Sequence, residues 1–95
     1  MRLSIVTPVH RNEASLCELA RRAFAAAELI YQEIEYLFVV DGSPDGSLSL
    51  LRQLTADDPR VRVIAFTRNF GQQAAILAGL LAATGDRIFL IDADL

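Results

Sequence analysis

The sharpest chemical signal in this chain is Asp92-Ala93-Asp94, which follows an apolar run at 87–91. On an extended backbone, residues two apart point the same way. Both carboxylates therefore face one side and Ala93 the other. Two hard, anionic oxygen donors with open positions suit Mg²⁺ or Mn²⁺, and a substrate diphosphate can fill the remaining positions. The cation would neutralise the phosphates and stabilise them as a leaving group. Alone, such a triplet is most often a solvated turn; its place at the end of an apolar strand is what gives it weight. Asp41 ends another apolar run. A carboxylate there accepts hydrogen bonds from a ribose or a base, or it serves as a turn or cap residue in Asp41-Gly42-Ser43-Pro44-Asp45-Gly46. Asp45 reads as turn or cap. Arg68 precedes a helix start, where a guanidinium and free N–H groups make an anion site; the alternative is a surface arginine paired with an acid. Gln72 and Gln73 either hydrogen-bond a ligand or cover a first helical turn, and the second is the preferred reading. His10, the only histidine, reads as structural rather than as a catalytic base. Cys17 is expected to pack against a sheet.

These residues need elements to position them, and the pattern alternates strand and helix throughout. Residues 3–7 are short, β-branched and apolar, and Pro8 closes them as a first strand. Asn12 suits a helix N-cap. Leu16, Ala20, Ala23, Ala27 and Ile30 then share one helical face, which predicts a helix over 13–30, with Glu18 and Arg22 paired on its outer side. Residues 34–40 are nearly continuous in apolar character, as in a strand covered on both faces. The segment 41–47 is dense in turn formers. Leu48, Leu51 and Leu54 suggest a short helix, stopped by Asp57-Asp58-Pro59. Residues 61–66 read as a third strand. Residues 69–84 read as a third helix, rich in small residues and followed by Gly85 as its C′ residue. Residues 87–91 read as a fourth strand, central in the sheet. Strand–helix–strand repeated three times predicts an α/β fold with a parallel four-stranded sheet and right-handed crossovers.

In such a sheet, ligands bind outside the carboxyl ends of the strands. Four polar segments are expected at that edge: 7–13, 41–47, 67–71 and 92–94. Rival nucleotide folds fail on the same residues. The turn after the first strand has no glycine, against a dinucleotide-binding Rossmann domain, and no P-loop or Gly-x-Ser-x-Gly elbow occurs.

Composition sets the outer bounds. Ninety-five residues allow one small domain. With 53% hydrophobic and 22% charged residues the chain is too apolar for disorder and too charged for a membrane-only segment. The net charge of −3, with no basic face, speaks against a nucleic-acid partner. A single cysteine rules out an internal disulfide. The opening residues run straight into a strand pattern, which predicts no signal peptide. The longest apolar run, 74–83, is too short to span a bilayer.

Together, Thr7-Pro8-Val9-His10-Arg11-Asn12-Glu13, Val39-Val40-Asp41-Gly42-Ser43-Pro44-Asp45-Gly46-Ser47, Arg68-Asn69-Phe70-Gly71-Gln72-Gln73-Ala74-Ala75 and Asp92-Ala93-Asp94-Leu95 resemble the N-terminal, nucleotide-binding half of a family 2 glycosyltransferase with the GT-A fold. The similarity is closest to the polyprenyl-phosphate sugar transferases, the group that includes dolichyl-phosphate mannose synthase. It covers residues 1–95. The resemblance implies inverting transfer from a nucleotide-diphosphate sugar, of UDP or GDP type, to a polyprenyl phosphate in cell-envelope glycan or glycolipid synthesis. It implies that Pro8 and Glu13 lie near the base and ribose, that Asp41 contacts base or ribose, and that Arg68 belongs to the loop beside the donor. Asp92 and Asp94 would hold the ribose and the divalent metal. It places the acceptor-side and catalytic acids after the Asp-x-Asp strand, outside these residues, and the parent protein at the cytoplasmic face of the membrane. Two departures stand out: Val40 replaces the first of the family's usual paired acids, and Arg11 is an added residue in the first loop. A second expectation concerns assembly. With no further strand beside it, the fourth strand leaves an edge that invites pairing with another copy, as a homodimer or larger species.

Overall fold

The computed structural model describes residues 1–93 and contains four parallel strands and three helices. Strand β1 runs Arg2–Val9 and β2 runs Glu33–Val40; β3 is Val61–Ala65 and β4 is Arg87–Leu90. Helix α1 spans Leu16–Ala27 after a 3-10 turn at Glu13–Ser15; α2 spans Ser47–Asp57 and α3 spans Gln72–Ala82. The sheet order is β3-β2-β1-β4, with every pair parallel. The α/β class and the parallel sheet are therefore as expected from the alternating pattern.

The two-residue period of the strands divides the core. Leu3, Ile5 and Val9 of β1 and Ile34, Tyr36, Phe38 and Val40 of β2 are buried with Leu16, Ala20, Phe24 and Ala27 of α1 and Leu51 of α2. Tyr36 stacks on Phe38 with ring centres 4.1 Å apart, and Phe24 meets Tyr36 edge-on. The Tyr36 hydroxyl is 2.8 Å from Thr7 Oγ1, so these two buried polar groups satisfy each other. On the opposite face α3 lies against Val6 and Val39. It can do so because of Gly79: a Cβ there would stand 2.3 Å from Val6 Cγ1. The small-residue stripe has the packing role that its composition suggests.

Several boundaries and roles differ from the sequence-based expectation. The first helix starts later and ends earlier, and Ile30 is 78% exposed. Leu19 and Phe24 take part of the buried face instead. Asn12 makes no side-chain cap; its Oδ1 accepts from the His10 amide. Cys17 is exposed. Gly85 is not a left-handed C′ residue, since positive φ among the glycines occurs at Gly42 and Gly71. It is needed because a Cβ would strike Ser4 Oγ at 2.6 Å. The fourth strand is not central in this chain. Among the described residues it pairs with β1 alone, leaving the free edge expected for it, and Ile88, Phe89 and Leu90 are 40–51% exposed.

Glu35 lies within β2 and is buried. It accepts from Ser4 Oγ at 2.6 Å, the Thr84 amide at 2.6 Å, Arg62 Nη1 at 2.9 Å and Arg2 Nη2 at 3.3 Å. Burial alone would raise its carboxyl; the bonds from Ser4, Thr84 and Arg62 outweigh that and hold it down at about 2. This cluster ties the end of α3 to the amino edge of the sheet, opposite the loops that carry the candidate site. No helix among the described residues is long and apolar enough to cross a membrane.

Candidate functional site

At the carboxyl edge of the sheet a cleft of about 380 Å³ is lined by Pro8, Val9, His10, Arg11, Asn12, Asp41, Gln72 and Asp92. That size is within the range of small-molecule sites. Three adjacent strands, β2, β1 and β4, each deliver residues to it. Pro8 helps to open it. In a parallel ladder, alternate residues bond to opposite neighbours. Val9 accepts from the Asp41 amide on the β2 side, and Val6 accepts from the Ile91 amide on the β4 side. Pro8 therefore faces β4, where it has no N–H to offer. The β1–β4 ladder stops there and a gap forms between Pro8 and Asp92, both of which line it.

Asp41 lines the cleft, but its carboxylate is engaged. Oδ1 accepts from the Phe70 amide at 2.7 Å and Oδ2 from the Gly71 amide at 3.1 Å, and the residue is 3% exposed. A negative charge at the amide end of α3 is also favoured by the helix dipole. Asp41 thus latches the β3–α3 loop to the end of β2. Gly42 permits the close approach: its φ is +61°, and a Cβ would lie 2.2 Å from the Arg68 carbonyl carbon. The Asp41 carbonyl oxygen takes two further contacts, His10 Nδ1 at 3.0 Å and Asn69 Nδ2 at 3.3 Å.

Glu13 and Asp45 join the first two loops beside the cleft, lining a neighbouring hollow with Arg11. The Glu13 amide donates to Asp45 Oδ2 at 3.3 Å, and Glu13 Oε1 accepts from the Gly46 amide at 3.0 Å. Asp45 Oδ1 also accepts from Ser43 Oγ and from the Ser47 amide, at the start of α2. Burial would raise this carboxyl; the Ser43 hydroxyl and the Ser47 amide bring it down to about 2. The expectation of a turn or cap role for Asp45 is met. Arg11, the added loop residue, sits at φ +60° and donates its amide to Ser43 Oγ at 2.8 Å. A non-glycine residue in that conformation is uncommon, and here the loop-to-loop bond holds it.

Arg68 is exposed, with its guanidinium 4.1 Å above the Phe70 ring. It does not line the cleft. Asp92 is exposed at the cleft mouth, and its Oδ1 accepts from the Ala93 amide at 3.0 Å. Ala93 points inward and is buried, its carbonyl held by Ser15 Oγ at 2.8 Å. β4 ends at Leu90, so Asp92 and Ala93 lie past the extended strand on which that alternation was expected. Asp94, the second expected metal ligand, lies outside the described residues. Among the described residues no three metal-ligating side chains cluster. Asp92 still suits a hard cation as one exposed oxygen donor, since Mg²⁺ is held through one or two carboxylates with substrate phosphates and waters. Of the cleft residues, His10 was read as structural, and Gln72 as cover for a helical turn in preference to a ligand contact. Lying respectively just after a strand and at the first position of a helix facing the sheet edge, they had a positional signal.

The architecture and sequence both have known counterparts. The fold superposes with a TM-score of 0.84 on a mannosyltransferase from Pyrobaculum calidifontis solved with GDP-Man and Mn²⁺, at 24% identity, covering 98% of this chain and 27% of that one. An undecaprenyl-phosphate 4-deoxy-4-formamido-L-arabinose transferase from an Enterobacter species is 45% identical over 99% of this chain and 29% of its own length. A prophage bactoprenol glucosyl transferase homolog from Escherichia coli is 41% identical over all of this chain and 31% of its own. The chain thus spans less than a third of the length of these relatives. Residues 4–95 match the model of glycosyl transferase family 2, and the chain belongs to that family.

Proposed function

We propose that this chain forms the donor- and metal-binding N-terminal part of an inverting glycosyltransferase that moves a sugar from a UDP- or GDP-type nucleotide to a polyprenyl phosphate. The observation that carries the reading is the cleft at the carboxyl edge, where Pro8, Asp41 and Asp92 arrive from three neighbouring strands. Two relatives named for undecaprenyl phosphate and bactoprenol support the acceptor class, and the fold counterpart holding GDP-Man and Mn²⁺ supports the donor class. In this reading the nucleotide lies across the strand ends, its base toward β2 and its phosphates toward Asp92. Asp92, with Asp94 beyond it, would hold Mg²⁺ or Mn²⁺. The bound cation supplies charge neutralisation to the departing diphosphate.

The protein's own contribution is placement. Pro8 forms one wall, and Asp41 fixes the β3–α3 loop that carries Gln72 to the other side. Glu13, through Gly46, and Asp45 hold the first two loops in register beside the donor. Arg68 adds positive charge on the loop next to it. An acceptor phosphomonoester is mostly dianionic near neutral pH, so it needs little help from a base and its alignment with the anomeric carbon dominates the rate. The acceptor-side acids, the remainder of the catalytic domain and a location at the cytoplasmic face of the membrane belong to the same proposal.

The test is calorimetry on the full-length protein with UDP and GDP, with and without Mn²⁺. Metal-dependent binding of one nucleotide is expected, falling at least tenfold in Asp92→Ala. Equal affinity with and without the metal, or an unchanged Asp92→Ala, refutes the metal assignment. A second reading, self-association through β4, rests on the exposed apolar side chains of that edge.

A further inference from the structure

We infer that His10 is a base-selecting residue, whose Nε2 accepts a hydrogen bond from the ring N–H of a uracil or guanine in the cleft. His10 Nδ1 lies 3.0 Å from the Asp41 carbonyl oxygen. A carbonyl oxygen can only accept, so a bare Nδ1 would set two lone pairs against each other. Nδ1 therefore carries the hydrogen, and in the uncharged form of such a ring Nε2 is the acceptor. Asn69 fits the same assignment: its Nδ2 is 3.3 Å from both His10 Nδ1 and the Asp41 oxygen. With the hydrogen on Nδ1, only the oxygen accepts from it, and two donors converge on one carbonyl. That carbonyl belongs to the residue whose carboxylate latches the β3–α3 loop. The imidazole orientation is thus tied to the best-anchored part of the site.

Position within the cleft assigns the partner. His10 and Asp92 both line it, and the sheet order puts β1 between β2 and β4. With strands about 4.8 Å apart, the ends of β2 and β4 are about 10 Å from each other. That distance suits a nucleoside diphosphate laid from base to phosphates. Phosphates at Asp92 leave the base on the side of His10 and Asp41. The inference rests on the donor reading above, in which the nucleotide is of UDP or GDP type. Uracil has no exocyclic amine, so the donor it shares with guanine is the ring N–H. Cytosine and adenine present a bare ring nitrogen at the equivalent place, which would oppose an acceptor Nε2.

The experiment is calorimetry on the full-length protein with Mn²⁺, using UDP, GDP, 3-methyl-UDP, 1-methyl-GDP, CDP and ADP. For the wild-type protein, UDP or GDP should bind at least tenfold tighter than its own methylated form and than CDP or ADP. His10→Asn retains an amide N–H for the Asp41 carbonyl but places nothing at the Nε2 position. It should shrink the gap between the parent nucleotide and its methylated form to under twofold. A merely structural histidine would weaken both ligands together and leave the gap intact. A wild-type methylation penalty under twofold, or a tenfold gap surviving in His10→Asn, overturns the inference while leaving the donor reading in place. Absence of binding by every nucleotide overturns both. The methylated series on the wild-type protein needs no variant, so the test stands even if His10→Asn folds poorly.

Discussion

At the level of single residues, the acids divide by what their oxygens touch. Asp41 and Glu35 are buried and fully occupied by donors, whereas Asp92 is exposed at the cleft. Asp41→Asn exchanges an acceptor for an NH₂ that faces a backbone N–H, so one charge-assisted bond is lost and a donor is left unpaired. About 2–3 kcal/mol of destabilisation is expected from urea unfolding at neutral pH. Glu35 makes a pH prediction. Its folded carboxyl, at about 2, is below the ordinary value of 4.5. Its contribution is therefore complete above about 4.5 and is lost as the pH falls from there toward 2. A shift of that size corresponds to about 3 kcal/mol. Glu35→Gln should flatten the acid limb of the stability profile over that window; an unchanged limb would show that other carboxylates govern acid unfolding. Neither role was legible in sequence. Glu35 stands inside an apolar run with nothing local to mark its four partners, all of which lie more than 25 positions away. Asp41 could equally serve a ligand or a turn until the backbone of residues 70 and 71 came beside it.

At the level of elements, the helix-on-sheet spacing depends on contacts that leave no room for a methyl group. Gly79→Ala would push α3 away from β1, because the new Cβ falls 2.3 Å from Val6 Cγ1. A loss of about 1–3 kcal/mol is expected, and Val6→Ala in the same molecule should recover part of it. A double-mutant cycle by chemical denaturation measures that coupling, and strict additivity would refute the contact. Gly42→Ala is expected to cost more, since it combines a left-handed φ with a backbone collision at 2.2 Å. The sequence located every strand and helix to within a few residues. Its errors were at ends: α1 gives its first turn to a 3-10 segment and stops at Ala27, and α3 begins at Gln72 because residues 70 and 71 are held by Asp41.

At the level of the whole molecule, the radius of gyration is 12.2 Å, close to about 12 Å for a folded chain of this length. Yet Leu77, Leu80 and Leu81 of α3 are exposed, and so are Ile88, Phe89 and Leu90 of β4. An unpaired apolar strand is a template for further pairing. The 95 residues expressed alone should therefore form dimers or larger species, seen as a mass above 10.4 kDa in light scattering. Leu90→Lys should shift that population toward monomer. A concentration-independent monomer would remove the self-association reading. The full-length polypeptide should show no such dependence if further strands cover β4.

By itself the sequence determined the alternation of strands and helices, the parallel sheet and the four polar segments destined for its carboxyl edge. Those follow from local periodicity, and local periodicity survives being read one element at a time. Tertiary structure decided which of the polar residues share a cleft. Pro8, Asp41 and Asp92 meet there with His10 and Gln72, while Glu13 turns to Asp45 and Gly46 and Arg68 stacks on Phe70. It also decided the strand order β3-β2-β1-β4. The physical reason is the same in both cases. Strand order and loop-to-loop hydrogen bonds are set by groups far apart in sequence, and no local pattern records which of them will become neighbours.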